Sequence, residues 1–105
     1  MSRPIYRVTT PSHRFTFPID PQTCEIIRIT YAQNDKILIT KEKPDLSIND
    51  NTVTVTLTQE ETKIFSARFP VQVQVRALTF DGKALASPTF TREVGEVLDD
   101  GILGN

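Results

Sequence analysis

Pro70-Val71-Gln72-Val73-Gln74-Val75-Arg76-Ala77-Leu78-Thr79-Phe80, then Asp81-Gly82, then Lys83-Ala84-Leu85-Ala86-Ser87-Pro88-Thr89-Phe90-Thr91-Arg92-Glu93-Val94, is the stretch on which the fold turns. Val71, Val73, Val75 and Ala77 alternate with Gln72, Gln74, Arg76 and Leu78. A period of two on β-branched residues predicts a strand with one buried face. Asp81-Gly82 is a dipeptide favoured in a two-residue type I′ hairpin loop, where both central residues take positive φ. With that loop, Phe80 pairs with Lys83, Ala77 with Ala86, Val75 with Pro88 and Val73 with Phe90. The second strand then places Ala86, Pro88 and Phe90 on the valine face, so turn chemistry and hydrophobic pattern agree on one register.

Working outward, Thr52 to Leu57 alternates as cleanly, with Val53, Val55 and Leu57 inward and Thr52, Thr54 and Thr56 outward. Thr58 with Glu61 three residues later forms a capping box. It predicts one short helix near residues 59–65, with Ile64 or Phe65 under the core. Cys24 to Gln33 predicts a central strand with Ile27, Ile29 and Tyr31 inward. Asn34-Asp35 is a tight turn into a strand over Lys36 to Lys41, with Ile37 and Ile39 as its core candidates. Leu46 and Ile48 suit a short edge strand before the Asn49-Asp50-Asn51 turn. Near the start, Phe15, Phe17 and Ile19 share one face, and Pro11 breaks the first strand so that it switches sheets. About seven short strands joined by turn signals predict an all-β, immunoglobulin-like antiparallel β-sandwich; an open barrel is the second choice. Residues 1–95 form the domain and 96–105 a C-terminal tail.

The chain has 105 residues and a net charge of -1, so no basic excess points to nucleic acid or to an anionic membrane. No apolar run approaches a signal peptide or a membrane span. The expected site of synthesis is the cytoplasm. The lone Cys24 cannot form an internal disulfide and reads as a small hydrophobe. Charge is uneven along the chain: Arg3, Arg7 and Arg14 precede Asp20 with no acid, and Glu93, Glu96, Asp99 and Asp100 close the chain with no base. Either the two ends pair within one chain or they meet head to tail between copies.

No catalytic constellation is legible. His13, the only histidine, reads as a solvated strand residue. The aspartates lie at turns for backbone reasons, no His/Cys cluster suits zinc, and no glycine-rich loop precedes a helix. An enzyme, a cofactor, a metal and a small-molecule ligand are therefore not expected. Tyr6, Phe69 and Phe80 do not fit the core pattern. The possible interaction surface is the outer row Gln72, Gln74 and Arg76 with Phe80 at the hairpin tip.

Ile29-Thr30-Tyr31-Ala32-Gln33, residues 54–62, Val73-Gln74-Val75-Arg76-Ala77, Asp81-Gly82 and Ala84-Leu85-Ala86-Ser87 together resemble short prophage-encoded proteins of Gram-positive bacteria found among phage tail and baseplate components. The likeness covers roughly residues 13 to 95 and carries over no functional residue. It implies a non-enzymatic structural or interaction module of a virion, binding other phage structural proteins or itself. The alternative is a carbohydrate- or cell-surface-binding sandwich.

Overall fold

The computed structural model describes residues 3–104. In chain order these form β1 (Ile5–Tyr6), β2 (Ser12–Thr16), β3 (Cys24–Gln33), β4 (Lys36–Glu42), β5 (Ser47–Asn49), β6 (Thr52–Thr56), α1 (Gln59–Lys63), β7 (Val71–Thr79), β8 (Ala84–Ala86), β9 (Phe90–Arg92) and β10 (Val94–Gly95). One sheet has the order β2-β6-β5. A second has the order β4-β3-β7-β8, with β9 continuing along β7 past β8. All of these pairs are antiparallel. The short β1 instead runs parallel to β10. Three strands facing a larger sheet in this order make an immunoglobulin-like β-sandwich, with the β3–β4 hairpin widening the larger sheet as in variable-type domains.

The two inner faces meet in one core. Ile27, Ile29 and Tyr31 from β3, Val53, Val55 and the adjoining Leu57, and Val71, Val73, Val75 and Ala77 from β7 are all buried. The predicted alternation therefore holds on these three strands. The capping box holds too: Thr58 Oγ1 accepts from Glu61 N–H at 3.1 Å, and a Glu61 carboxylate oxygen accepts from Thr58 N–H at 2.8 Å. Phe65 goes under the core, while Ile64 stays in solvent.

The leading strand does switch sheets. β1 hydrogen-bonds toward the chain end through Ile5 N–H to Glu93 O at 2.8 Å and Arg7 N–H to Gly95 O at 3.0 Å. After Pro11 the chain joins β6. Val8, between the two, sits at φ 60, a region that β-branched residues seldom occupy. The buried Thr62 holds the next residue there: its Oγ1 accepts from Thr9 N–H and donates to Thr9 O, both at 2.9 Å.

The predicted hairpin at Asp81-Gly82 needs correction. Thr79, rather than Phe80, closes the loop, with Thr79 N–H bonded to Lys83 O at 2.8 Å. Only Gly82 takes positive φ, at 89°. This is a three-residue loop ending in a left-handed glycine. The cause lies in Thr79, whose hydroxyl bonds the Asp81 carboxylate and accepts Lys83 N–H at 2.8 Å. Phe80 N–H is meanwhile drawn to Thr23 O at 3.0 Å. The type I′ geometry appears instead at Asn34-Asp35, with φ 49 and 63.

The register consequently runs Arg76↔Ala86, Ala77↔Leu85 and Leu78↔Ala84 in β8, so Ala86 faces out and Leu85 faces in. One extra residue in Ser87-Pro88-Thr89 restores the expected Val73↔Phe90 pair in β9. Ser87 Oγ substitutes for the ladder there, accepting Val75 N–H at 3.0 Å, next to a proline that has no N–H to give. Pro88 and Ala86 are exposed, and Phe90, though on the inner side, is 38% exposed. A second register shift, between Tyr31 and Ala32, moves the β4 alternation: Ile39 is buried, Ile37 is exposed and Leu38 packs partly against the core.

Candidate functional groove

β2 is one edge strand of its sheet, and β8 and β9 form one edge of the other. Among the described residues no strand lies beyond either. The inner faces at these two edges therefore stay open, and a groove of about 670 Å³ runs between them. Phe15 and His13 line one wall, because His13↔Val55 and Phe15↔Val53 put both on the inner face of β2. Leu85 and Phe90 line the other wall, and Val73, Val75 and Ala77 of β7 line the groove between them. Phe15 and Phe90 approach across the gap, with ring centroids 5.8 Å apart. Leu85 and Phe90, both 38% exposed, are inward side chains left partly open to solvent.

The backbone of β2 is equally open. Leu57 N–H bonds to Pro11 O and Phe17 N–H to Asn51 O, so odd-numbered residues of this strand address β6. By antiparallel alternation the N–H and C=O groups of Ser12, Arg14 and Thr16 point away from it, toward the free edge. Pro11 and Pro18 bound the segment that can pair.

His13 is not the solvated residue that its isolation suggested. Its Nδ1 lies 2.7 Å from Tyr31 Oη, the tautomer deciding which of the two donates, and the rings pack at 5.7 Å. Burial and then the nearby Arg92 guanidinium hold its pKa below the ordinary 6.5. Burial likewise pushes the Tyr31 hydroxyl well above the usual tyrosine range. The pair is a neutral hydrogen-bonded unit, His13 in the groove wall and Tyr31 buried behind it, and among the described residues no carboxylate bonds His13 to make it a strong base. Arg92 is the charged side chain on the inner side of the groove, Arg14 stands at its edge with its side chain on the outer face of β2, and no acid lies among the lining residues.

The surface expected from the pattern lies elsewhere. Gln72 and Arg76 are exposed on the outer face of β7. Gln74 between them is half-buried, its Nε2 donating to Ser87 O at 3.0 Å. Phe80 is 69% exposed at the hairpin tip, with Lys43 Nζ 5.7 Å from its ring centroid. None of the four lines the groove. The groove escaped the sequence reading because its residues are ordinary inward-facing ones. The one available signal was the strand break at Pro11, which limits the length of β2 that pairs with β6.

The oppositely charged chain ends meet within the chain. Arg7 Nη1 lies 3.0 Å from a Glu96 carboxylate oxygen and 4.0 Å from one of Asp100. The other guanidinium nitrogens of Arg7 donate to Phe65 O at 2.9 Å and Lys63 O at 2.8 Å, capping the end of α1. Cys24 is fully buried, and burial raises its thiol pKa, which makes it a packing residue. Among the described residues no group of three or more His, Cys, Asp or Glu side chains could hold a metal, and no helix is long and apolar enough to cross a membrane.

No protein-family model and no curated protein matches the chain. Among solved structures, the V domain of amphioxus IgVJ-C2 aligns over 86% of this chain and 96% of that one, at 10% identity and a TM-score of 0.37.

Proposed function

We propose that this chain is a non-enzymatic interaction module that takes an extended peptide strand into the groove between β2 and β8–β9. The observation that carries the reading is the coincidence of two open features at one place. Inward side chains left partly open to solvent (Leu85, Phe90) lie beside a strand edge with free backbone groups (Ser12, Arg14, Thr16). Strand addition uses both: main-chain bonds give affinity, and alternate side chains of the guest fill the apolar gap. The two arginines favour a guest with carboxylates. The resemblance to prophage tail and baseplate proteins suggests the setting, a virion component acting through protein–protein contacts. Capsid, tail-tape and lysis genes beside this one are the expected genomic context.

The alternative, glycan binding, rests on exposed Phe80 and Tyr6. Phe80 already carries the Lys43 ammonium over its ring, and Tyr6 lies against Gly95, where even a Cβ would come within 2.5 Å of the ring. Neither presents the paired aromatic platform that would favour this reading over the groove.

A capped peptide alternating valine with glutamate and threonine tests the strand reading. Amide hydrogen exchange of the full chain should slow at Ser12, Arg14 and Thr16 when the peptide is added. Binding that leaves those three amides unchanged, or no binding at all, would refute strand addition at β2.

A further inference from the structure

We infer that the guest in this groove is the acidic C-terminal segment of a second copy of the chain, residues 96–103. The inference rests on the strand-binding reading and names its partner. Charge is the first argument. Arg92 faces the groove and Arg14 stands at its open strand edge, no acid lines the groove, and among the described residues neither arginine has a carboxylate within 4.0 Å. The segment supplies Glu96, Asp99 and Asp100 and has no basic residue.

Uncovered apolar surface is the second. Leu98 is 109% exposed and Leu103 72%, so the segment's leucines find no cover in their own chain. Leu85 and Phe90 in the groove are left partly open to solvent as well. Two uncovered apolar sets with matching charge cover each other when one copy's segment lies in another copy's groove.

The segment is also lightly held at home. Its ties are the Arg7 ion pairs, whose carboxylate side chains are 64% and 58% exposed, and Gln59, whose side-chain amide exchanges bonds of 3.0 and 2.9 Å with the backbone of Leu103. Exposed ion pairs of this kind resist displacement weakly. Groove and tail are different surfaces, so the contact is head to tail and repeats from copy to copy. It closes into a ring or runs on as a filament according to the rotation between copies.

The test uses the full chain and two charge-reversed variants. One carries Arg14→Glu with Arg92→Glu, the other Asp99→Lys with Asp100→Lys, and a thermal melt checks that each is folded. Sedimentation velocity should show the unaltered chain growing in mass with concentration, less so in high salt. Each variant alone should associate at least roughly tenfold more weakly. An equal mixture of the two should recover association, since the acidic groove then meets a basic tail and the unaltered groove meets an unaltered tail.

A synthetic peptide of residues 93–105 should compete with self-association. A chain monomeric at every concentration overturns the inference, even if that peptide binds, because the segment would then serve only its own groove. Association indifferent to both reversals, or a mixture of folded variants that fails to recover it, also overturns it. If the chain stays monomeric while the valine–glutamate–threonine peptide still protects Ser12, Arg14 and Thr16, the strand-binding module survives and only the self-partner falls. Failure of both measurements removes both readings.

Discussion

Val73 and Phe90 are cross-strand partners on the same face of the larger sheet, so alternation alone predicts a similar cost for placing a charge at either. Their surroundings differ. Val73 is 3% exposed and Phe90 is 38% exposed, because Phe90 stands at the lip of the groove. Val73→Asp loses about 2 kcal/mol of apolar transfer and leaves a carboxylate without a partner, for a total of about 4 kcal/mol or more. Phe90→Asp loses a partial burial of about 1–2 kcal/mol and a single aromatic contact with Phe15 of about 0.5 kcal/mol, while its carboxylate reaches water at the lip of the groove. The expected cost is about 2 kcal/mol, half that of its partner or less. Urea melts followed by far-ultraviolet circular dichroism measure both. With a slope of about 2 kcal/mol/M, the Phe90 variant should shift its midpoint by about 1 M. The Val73 variant should shift by about 2 M or be unfolded without urea. Equal shifts would mean that the groove is closed in solution, and the proposals built on it would lose their footing.

Two further outcomes follow from the geometry. His13 has a folded-state pKa below its unfolded 6.5, so the unfolded chain binds the extra proton first. The contribution of the neutral His13–Tyr31 pair is therefore complete above about pH 6.5 and declines as pH falls toward the lower folded-state value. Subtracting melts of His13→Gln from those of the unaltered chain between pH 7.5 and about 5 should isolate that slope, and a flat or opposite difference would count against a buried neutral His13. At the β3–β4 turn, Asp35 sits at φ 63 in the second position of a type I′ turn, where glycine has no steric cost. Asp35→Gly should raise stability by up to about 1 kcal/mol in the same urea assay, and a loss of that size would show that the Asp35 side chain contributes more than its backbone strain removes.

Local chemistry was legible where neighbouring residues decide it. The valine rows of β6 and β7, the Thr58–Glu61 cap and the strand break at Pro11 each follow from contacts within a few residues, and each appears in the structure. Asp81-Gly82 shows where that logic stops. The dipeptide suits a two-residue loop, but the Thr79 hydroxyl and a carbonyl from the distant Thr23 outbid it, and the change of loop moves β8 by one residue. A one-residue step exchanges the faces of a strand, which is how Leu85 came to look into the sandwich.

The chain's order of apolar and polar residues was enough to specify a β-sandwich and most of its core, because burial acts on every residue through the same period of two. The site required knowledge of which strands lack a neighbour. Phe15, Phe90 and Leu85 carry the same inward pattern as Val53 or Val75, and nothing in a periodicity distinguishes a covered inward residue from an uncovered one. That distinction came from pairing across the fold: β2 has β6 on one side only, β8 and β9 end the other sheet, and inward side chains at these edges become the walls of a groove. His13, solvated by sequence, stands in that wall hydrogen-bonded to the buried Tyr31 in the fold.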